Sequence, residues 1–153
     1  MRWIVIDTNI FTLTHPDSSA PSEELMNCGY ALSFLERVLK FCETYGLALD
    51  DEGLILEEYA QKMRKDSFGD HAYRRMLRIP NKVRYFPHKN PEWMSDLKDG
   101  HKLDKHDRRF LATAFATPDK VLVSQDSVFQ NNSDFLRGKG VQLYDAEGAD
   151  ERL

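Results

Sequence analysis

The sequence predicts an α/β fold in which a parallel sheet is covered by helices on both faces. Short apolar, β-branched runs alternate along the chain with segments whose apolar residues recur at helical spacing. The 153 residues, of which 41% are hydrophobic and 30% charged, suit a single hydrophobic core. We therefore expect one domain over residues 1–145, followed by a loose acidic tail over residues 146–153.

The individual elements follow from these patterns. The bulky, β-branched sequence WIVI predicts a first strand over residues 2–7. A helix is expected over residues 30–45, because apolar residues recur on one side and Gly46 acts as a stop. The remaining expected elements are strands at 47–49, 82–86, 120–124 and 141–145 and helices at 52–65, 69–78, 107–117 and 126–137.

The sequence predicts a cytoplasmic protein that does not contact a membrane. No apolar stretch approaches the roughly 20 residues that cross a bilayer. The apolar run before Asp7 is too short for the core of a secretory signal. On one shared helix, Cys28 and Cys42 would lie about 21 Å apart along the axis, too far for a disulfide. We expect both cysteines to be free thiols.

Charge is distributed unevenly, although the net charge is only -4. Residues 61–89 carry nine of the 21 basic residues and two of the 25 acidic ones. A basic segment on an acidic body is expected where a polyanion is held beside a cation-binding pocket. A solvated helical face would give the same pattern. The candidate substrate-binding residues are Lys62, Arg64, Lys65, Arg74, Arg75, Arg78, Lys82 and Arg84.

The first candidate site residue is Asp7, in the sequence IVIDTNIF. In parallel sheets of this kind, ligands bind outside the carboxyl ends of the strands, near the point where strand order reverses. A first, central strand would direct Asp7 into that crevice. Capping of a following helix is the structural alternative, and Thr8 and Asn9 would cap equally well.

Two further acids fall on or beside the apolar faces of predicted helices. At 100° per residue, Glu58 projects beside the core, whereas Glu57 projects toward solvent. Asp107 projects into the middle of an apolar face at the first turn of its helix, where Asp104 could act as the cap. The structural alternatives are an ion pair between Glu58 and Lys62 and a favourable interaction of Asp107 with the helix dipole.

A fourth acid, Asp126, follows a strongly predicted strand in the sequence VLVSQDSVF. Its structural alternative is to cap the next helix. Ser124 supplies a small hydroxyl beside it. An α/β architecture can bring the ends of strands and the starts of helices to one crevice, so all four acids are candidates for a single site.

Several carboxylates in one crevice favour a bound cation. Two carboxylates about 4 Å apart repel each other by about 4 kcal/mol at an effective dielectric constant near 20. Oxygen ligands select Mg²⁺ or Mn²⁺, and the sequence has no cysteine cluster for zinc. His101 and His106, with Asp104 between them, offer a weaker zinc alternative.

The sequence resembles the PIN-domain nucleases. IVIDTNIF is similar to that family's opening strand and first acid, ILEEYAQK to its Glu segment, DKHDRRFLATA to its third acidic motif and LVSQDSVF to its closing hydroxyl-x-Asp element. The motifs occur in the family's order and cover most of the chain, although Ser124 stands where a Thr is common. The resemblance implies a three-layer α/β/α fold and metal-dependent hydrolysis of RNA phosphodiester bonds. The implied site comprises catalytic and metal-binding acids Asp7, Glu58, Asp107 and Asp126, an accessory metal ligand Asp104, and polar support from Thr8, Asn9 and Ser124.

Within this resemblance the expected substrate is single-stranded or structured RNA, and the expected partners are an antitoxin protein or a second copy of the chain. A toxin of a toxin–antitoxin pair competes with an RNA-processing or structure-specific nuclease and with a host-defence effector. A catalytically silent domain that binds RNA or protein is the rival from another class. A dehalogenase-like phosphatase is disfavoured because it needs a second Asp where this sequence has Asn9.

Overall fold

One parallel sheet forms the centre of the computed structural model, which describes residues 1–41 and 43–153. Its strands are β1 (Arg2–Ile6), β2 (Tyr45–Asp50), β3 (Val83–Phe86), β4 (Val121–Val123) and β5 (Gln142–Tyr144). They pair in the order β3-β2-β1-β4-β5, and every pairing is parallel. The α/β class is therefore confirmed, and β1 is the central strand.

Helices cover both faces of this sheet and produce three layers. Ile4, Val5 and Ile6 of β1 are each 0% exposed, although successive strand residues point to opposite faces. The helices are α1 (Thr8–Thr12), α2 (Ser22–Lys40), α3 (Leu54–Lys62), α4 (Phe68–Arg78), α5 (Lys105–Ala116), α6 (Ser127–Asn131), α7 (Ser133–Gly138) and α8 (Ala146–Arg152). Two short 3-10 turns, Glu92–Asp96 and Gly100–Lys102, lie in the segment between β3 and α5.

The strand order reverses between β1 and β4. From β1 the chain adds β2 and β3 on one side, and then returns to add β4 and β5 on the other side. Ile4 pairs with Val121 and Ile6 with Val123. This register places the carboxyl ends of β1 and β4 next to each other, in the position where parallel sheets bind ligands.

Helix α2 begins eight residues earlier than the apolar periodicity predicts. Its buried positions start at Ala31, whereas Leu25 and Met26 in its first turns are 49% and 58% exposed. Periodicity detects a helix by its buried face, so an exposed first half gave no signal. The predicted extension to residue 45 is wrong because α2 ends at Lys40. Cys42 lies outside the described residues, and Cys28 is a free thiol.

One predicted helix over residues 126–137 is instead two helices that meet at Asn132. The Asn132 side chain donates to the carbonyls of Val128 and Lys98 and accepts from the Lys98 amide. These bonds join the helix break to the segment before α5. The amide side chain competes with helical backbone bonding, and this competition ends α6.

The residues expected to form a loose acidic tail form helix α8 instead. Asp145 caps the helix by accepting from the Gly148 amide at 2.7 Å. Ala146 and Ala149 are fully buried, and Arg37 of α2 pairs with Asp150 at 2.6 Å. The expectation of a tail was wrong because it weighed the acidic charges and not the two small residues that let α8 pack closely on α2.

Among the helices of the described residues, none has both the length and the apolar character that spanning a bilayer would require.

Candidate active site

A buried pair of side chains joins the carboxyl ends of β1 and β4. Because Ile6 pairs with Val123, Asp7 and Ser124 are the next residues on the two strands. Ser124 donates from Oγ to Asp7 Oδ2 across 2.6 Å. Asp7 is 3% exposed and Ser124 0%. The crevice expected at the strand ends thus contains a buried carboxylate with a hydroxyl donor.

Asn9 adds a second link between the same strand ends. Its Nδ2 donates to Asp7 Oδ2 at 3.2 Å, and its Oδ1 accepts from the Gln125 amide at 3.1 Å. The Asp126 amide donates to Ser124 Oγ at 3.0 Å. Asn9 and Ser124 therefore fix one oxygen of Asp7 from both sides of the strand reversal. Both residues lie where the expected polar support would act.

Helix capping does not account for Asp7. The residue precedes α1, yet its side chain makes no capping hydrogen bond to that helix. Both hydrogen bonds to its carboxylate come from the side chains of Ser124 and Asn9. Asp7 is consequently a buried carboxylate whose role in helix α1 is confined to its backbone.

Glu58 lies on the buried side of α3, as its angular position predicted. It is 8% exposed, and its Oε2 accepts from Thr8 Oγ1 at 2.9 Å, whereas Glu57 is exposed. Among the described residues no ion pair forms between Glu58 and Lys62 within 4.0 Å. The hydroxyl of Tyr59 donates to the carbonyl of Ile6, and this bond joins α3 to the end of β1.

Asp107 and Asp104 form a reciprocal capping box at the start of α5. The Asp107 amide donates to Asp104 Oδ1 at 2.8 Å, and the Asp104 amide donates to Asp107 Oδ2 at 3.2 Å. Asp107 is partly buried and faces the crevice, whereas Asp104 is exposed. Asp104 thus acts as the helix cap, as the sequence allowed, and it does not line the crevice.

Asp126 combines a structural position with an electrostatic one. Its Oδ1 accepts from the Val128 amide at 2.8 Å and caps α6, as the structural alternative predicted. It does not line the crevice, but its charge raises the pKa of both Asp7 and Asp107. Asp126 thus caps α6, and it also lies close enough to Asp7 and Asp107 for its charge to act on both carboxylates.

The charges of neighbouring acids raise the pKa of two carboxyl groups in the crevice. Burial raises the pKa of Asp7 from 3.8 to about 7, the bond from Ser124 opposes the rise, and the charges of Asp107, Glu58 and Asp126 add to it. Burial raises the pKa of Asp107 from 3.8 to about 6, the bond from the Asp104 amide opposes the rise, and the charges of Asp104, Asp126 and Glu58 add to it. At neutral pH the repulsion is therefore relieved in part by a proton on Asp7.

A cavity of about 220 Å³ opens above these residues. It is lined by Asp7, Thr8, Asn9, Thr12, Glu58, Lys62 and Asp107. Thr12 was not expected as a site residue, and Lys62 was expected only as part of the basic segment; they follow Thr8 and Glu58, respectively, by one helical turn. Three carboxylates and one ammonium group face the same small space, so the cavity carries excess negative charge.

The carboxylates suit a hard divalent cation in kind but are not arranged around one. In the described part of the chain no hydrogen bond involves Asp7 Oδ1, Glu58 Oε1 or Asp107 Oδ1, so each acid retains an oxygen. Within the same residues, however, no three His, Cys, Asp or Glu side chains lie in a group that could hold a metal ion. That finding covers the zinc alternative at His101 and His106 too.

The eight basic residues predicted to bind substrate do not form one surface. Lys62 lines the acidic cavity, and Arg64 contacts His15 in an adjoining one. Arg74 pairs with Asp70 at 2.9 Å, and Arg84 lies over the rings of Trp3 and Phe86. Arg75 lines a separate cavity beside α2 and α4, while Lys65 and Arg78 are exposed.

Lys82 contradicts its predicted role in substrate binding. It is 0% exposed, and its Nζ donates to the backbone carbonyls of Val38, Phe41 and Tyr45. An ammonium group enclosed in this way cannot meet a polyanion. The prediction was wrong because it counted charge along the sequence, whereas Lys82 satisfies carbonyl groups at the end of α2 and the start of β2.

Two glutamines support the site although the sequence did not predict them as site residues. Gln130 donates from Nε2 to the Ser124 carbonyl at 2.7 Å. Gln125 accepts through Oε1 from the Ala146 amide at 2.6 Å, so α8 is tied to the residue beside Ser124. Gln125 lies between two candidate residues in the sequence, and that position was the only available signal.

The fold and site define an α/β protein with an acidic crevice at the strand-order reversal. No protein-family model matches the chain, and no curated protein matches it.

Proposed function

We propose that the protein is a divalent-metal-dependent endoribonuclease of the PIN-domain class, which hydrolyses RNA phosphodiester bonds at the crevice around Asp7. One observation carries the proposal: a buried carboxylate with a pKa of about 7 faces a cavity beside two further carboxylates and near a fourth. Such clusters oppose folding, and they concentrate at functional sites. Four motifs in the order of that class support the assignment.

Asp7, Glu58 and Asp107 would hold Mg²⁺ or Mn²⁺, with the charge of Asp126 nearby. When bound, such an ion supplies a water of lowered pKa and offsets the charge that develops on a reacting phosphate. The chain's own residues prepare the ligands. Ser124 and Asn9 engage one oxygen of Asp7, and Thr8 engages one oxygen of Glu58, so the other oxygens remain for the cavity.

Asp7 binds a proton in the cavity, and Lys62 supplies a positive charge there. Without an ion, a pKa of about 7 leaves the Asp7 carboxyl protonated in about half of the molecules at neutral pH. Its Oδ1 is the oxygen without a hydrogen-bond partner among the described residues. Binding a cation there displaces that proton. Lys62 lines the same cavity and would attract the phosphate to the acids.

A catalytically silent domain that binds RNA or protein is the second candidate. It is favoured by the lack, among the described residues, of three acids grouped to hold an ion. It is also favoured by the complete capping roles of Asp104 and Asp126. The two candidates differ in whether RNA is cut, which one assay can measure.

The test is cleavage of a mixed pool of purified RNA with Mn²⁺ and with a chelator. We expect cleavage that requires the metal and that falls roughly 100-fold, or about 2.7 kcal/mol in activation free energy, in Asp7→Asn and Glu58→Gln. Glu57→Gln, on the solvent side of the same helix, is the matched control and should cleave normally. Cleavage by Asp7→Asn at the wild-type rate would end the proposal. Metal-independent binding without any cleavage would favour the silent domain.

Within the nuclease proposal we favour a cytoplasmic toxin whose partner is an antitoxin protein. Expression of the wild-type chain should then stop bacterial growth, and expression of Asp7→Asn should not. Equal growth arrest by both proteins would rule out toxicity through cleavage. Normal growth with an active purified enzyme would favour RNA processing.

A further inference from the structure

The acidic cavity continues into a second cavity that carries basic residues. The second cavity has a volume of about 250 Å³ and is lined by Thr12, His15, Asp17, Lys62, Met63, Arg64 and Ser67. Thr12 and Lys62 line both cavities. Together they form one groove that leads from the candidate active site across the surface.

Two chain segments form the walls of this groove side by side. One wall is α1 and the loop after it, and it passes from Thr8 through Thr12 to His15. The other wall is α3 and the turn after it, and it passes from Glu58 through Lys62 to Arg64. Along α3, Lys62 lies about 6 Å beyond Glu58, which is on the scale of one nucleotide of an extended strand.

The sign of the charge changes along the groove. The inner cavity contains three carboxylates and Lys62, whereas the outer one contains Lys62, Arg64 and the single carboxylate of Asp17. Lys62 and Arg64 are exposed, and among the described residues neither lies within 4.0 Å of a carboxylate. Arg64 thus extends to His15 rather than to Asp17, and its charge is left without an anion.

The contact between Arg64 and His15 fixes the direction of hydrogen bonding. A guanidinium group has donors only, so in this contact Arg64 Nη1 donates and His15 Nε2 accepts. The remaining donors of the guanidinium can bind an oxyanion in a forked geometry. Ser67 is 7% exposed and accepts from the Asp70 amide, so its O–H remains a further donor.

We propose that Lys62, Arg64 and Ser67 form a second phosphate subsite, which binds a phosphate of a single-stranded RNA next to the one at the acidic crevice. This inference rests on the proposed function for its substrate class. Lys62 stands between the two positions and contributes to both. The subsite holds the strand along the groove, so that the phosphodiester next to the bound phosphate lies at the acidic crevice.

The test measures binding separately from cleavage. Full-length Asp7→Asn protein, and wild-type protein in a chelator as a second preparation, are titrated against end-labelled uridine oligonucleotides of two to twelve nucleotides by fluorescence anisotropy. Affinity should rise in a step when the oligonucleotide gains the phosphate that reaches Arg64. Arg64→Gln should remove that step and weaken binding to the long oligonucleotide roughly 5- to 10-fold.

Salt dependence provides a second readout. The slope of log affinity against log salt should fall by about 0.7 in Arg64→Gln and by about 1.4 when Lys62→Gln is added. Arg137→Gln is the matched control, because Arg137 is an exposed arginine on α7, which precedes the edge strand β5, and it lines neither cavity of the groove. It should leave both affinity and slope unchanged.

Failure of this inference and failure of the proposed function are distinguishable. Unchanged binding and slope in Arg64→Gln, an equal loss in Arg137→Gln, or no RNA binding by either preparation would overturn the subsite. A wild-type protein that cleaves RNA while Arg64→Gln binds normally would overturn the subsite alone. An inactive wild-type protein whose binding still depends on Arg64 would overturn the nuclease and retain the subsite.

Discussion

Asp7 has the larger of the two raised carboxyl pKa values, so it contributes most to the pH dependence expected of the folded chain. Its pKa is about 7 in the folded state and 3.8 in its ordinary state, so the native protein binds the proton more tightly than the unfolded chain does. The free energy of unfolding therefore falls as pH rises between about 4 and 7. At pH 8 the full destabilisation is present, on the order of 4 kcal/mol at most.

Asp7→Asn should stabilise the metal-free protein at pH 8 and change little at pH 4. An Asn oxygen still accepts from Ser124 and Asn9, so the change removes charge and keeps the hydrogen bonds. Thermal unfolding measured from pH 4 to 8 checks this, at about 2–4 °C per kcal/mol for a chain of this size. Parallel melting curves for the two proteins across that range would show that Asp7 is not the group responsible.

Ser124→Ala should change the pKa of Asp7 and should not act directly on a phosphate of the RNA. The change removes a bond that lowers the pKa of Asp7 and leaves the Asp126 amide without its acceptor. We expect a loss of about 1–2 kcal/mol in unfolding free energy and a shift of the metal-dependent cleavage profile to higher pH. Ser95→Ala, which removes an exposed hydroxyl bond, is the control. An unmoved pH profile would separate Ser124 from the state of Asp7.

For single residues, the sequence predicted the direction in which a side chain points better than the role of that side chain. The helical angle placed Glu58 on the buried side of α3, because the periodicity of a helix fixes which way a side chain points. It could not place Lys82, whose enclosure depends on carbonyls from residues far along the chain. It could not reveal that Asp104 is absent from the cavity, because a cap and a ligand use the same residue type.

At the scale of elements, the capping box at α5 connects helix stability with the crevice. Asp104→Ala should lower the free energy of unfolding by about 1 kcal/mol, whereas Asp104→Asn should cost little because an amide oxygen caps as well. Urea denaturation measures both changes. We expect Asp104→Asn to keep the wild-type dependence of cleavage on Mn²⁺. A marked increase in the Mn²⁺ requirement would restore Asp104 as a metal ligand.

Truncation after Asp145 should destabilise the protein even though the removed segment is acidic. It removes the two buried alanines of α8 and the ion pair between Arg37 and Asp150. We expect a loss of about 2 kcal/mol or more, because buried apolar area contributes about 25 cal/mol per Å². Arg152→Gln, an exposed change in the same helix, is the control. Unchanged thermal stability of the truncated chain would show that residues 146–153 behave as a loose tail.

The strands were predictable from the sequence, whereas the short helices were not. All five strands were expected within two residues of their observed bounds, since each is a short apolar run beside a turn signal. Helices α1 and α8 span five and seven residues, too few for a helical period to emerge. The break between α6 and α7 depends on hydrogen bonds from Asn132 to Lys98, which no local pattern contains.

At the scale of the whole molecule, the strand order brings the acids together. Alternating strands and helices predicted a parallel sheet with a crevice at the strand ends, and the central position of β1 was expected for Asp7. The sequence could not give distances within the crevice. Angles around a helix axis fix the direction of Glu58 and Asp107 but not how far apart packing holds their oxygens, and this separation decides whether an ion is already accommodated.

A divalent cation should stabilise the folded chain if the crevice binds it. At 100 times its dissociation constant, Mn²⁺ would add about 2.7 kcal/mol to the free energy of unfolding. The shift in melting temperature should be larger at pH 8 than at pH 6, because a proton on Asp7 competes with the ion. Glu58→Gln should abolish the shift and Glu57→Gln should preserve it. An equal shift in Glu58→Gln would place the ion elsewhere on the surface.

The separation of β1 from β4 along the chain sets a delay during protein synthesis. Asp7 leaves the ribosome 117 residues ahead of Ser124, which at about 5–20 residues per second amounts to roughly 6 to 23 s. Until then the central strand has β2 as a neighbour but lacks β4, and Asp126 has not been made. The crevice therefore cannot assemble until translation has passed all four acids.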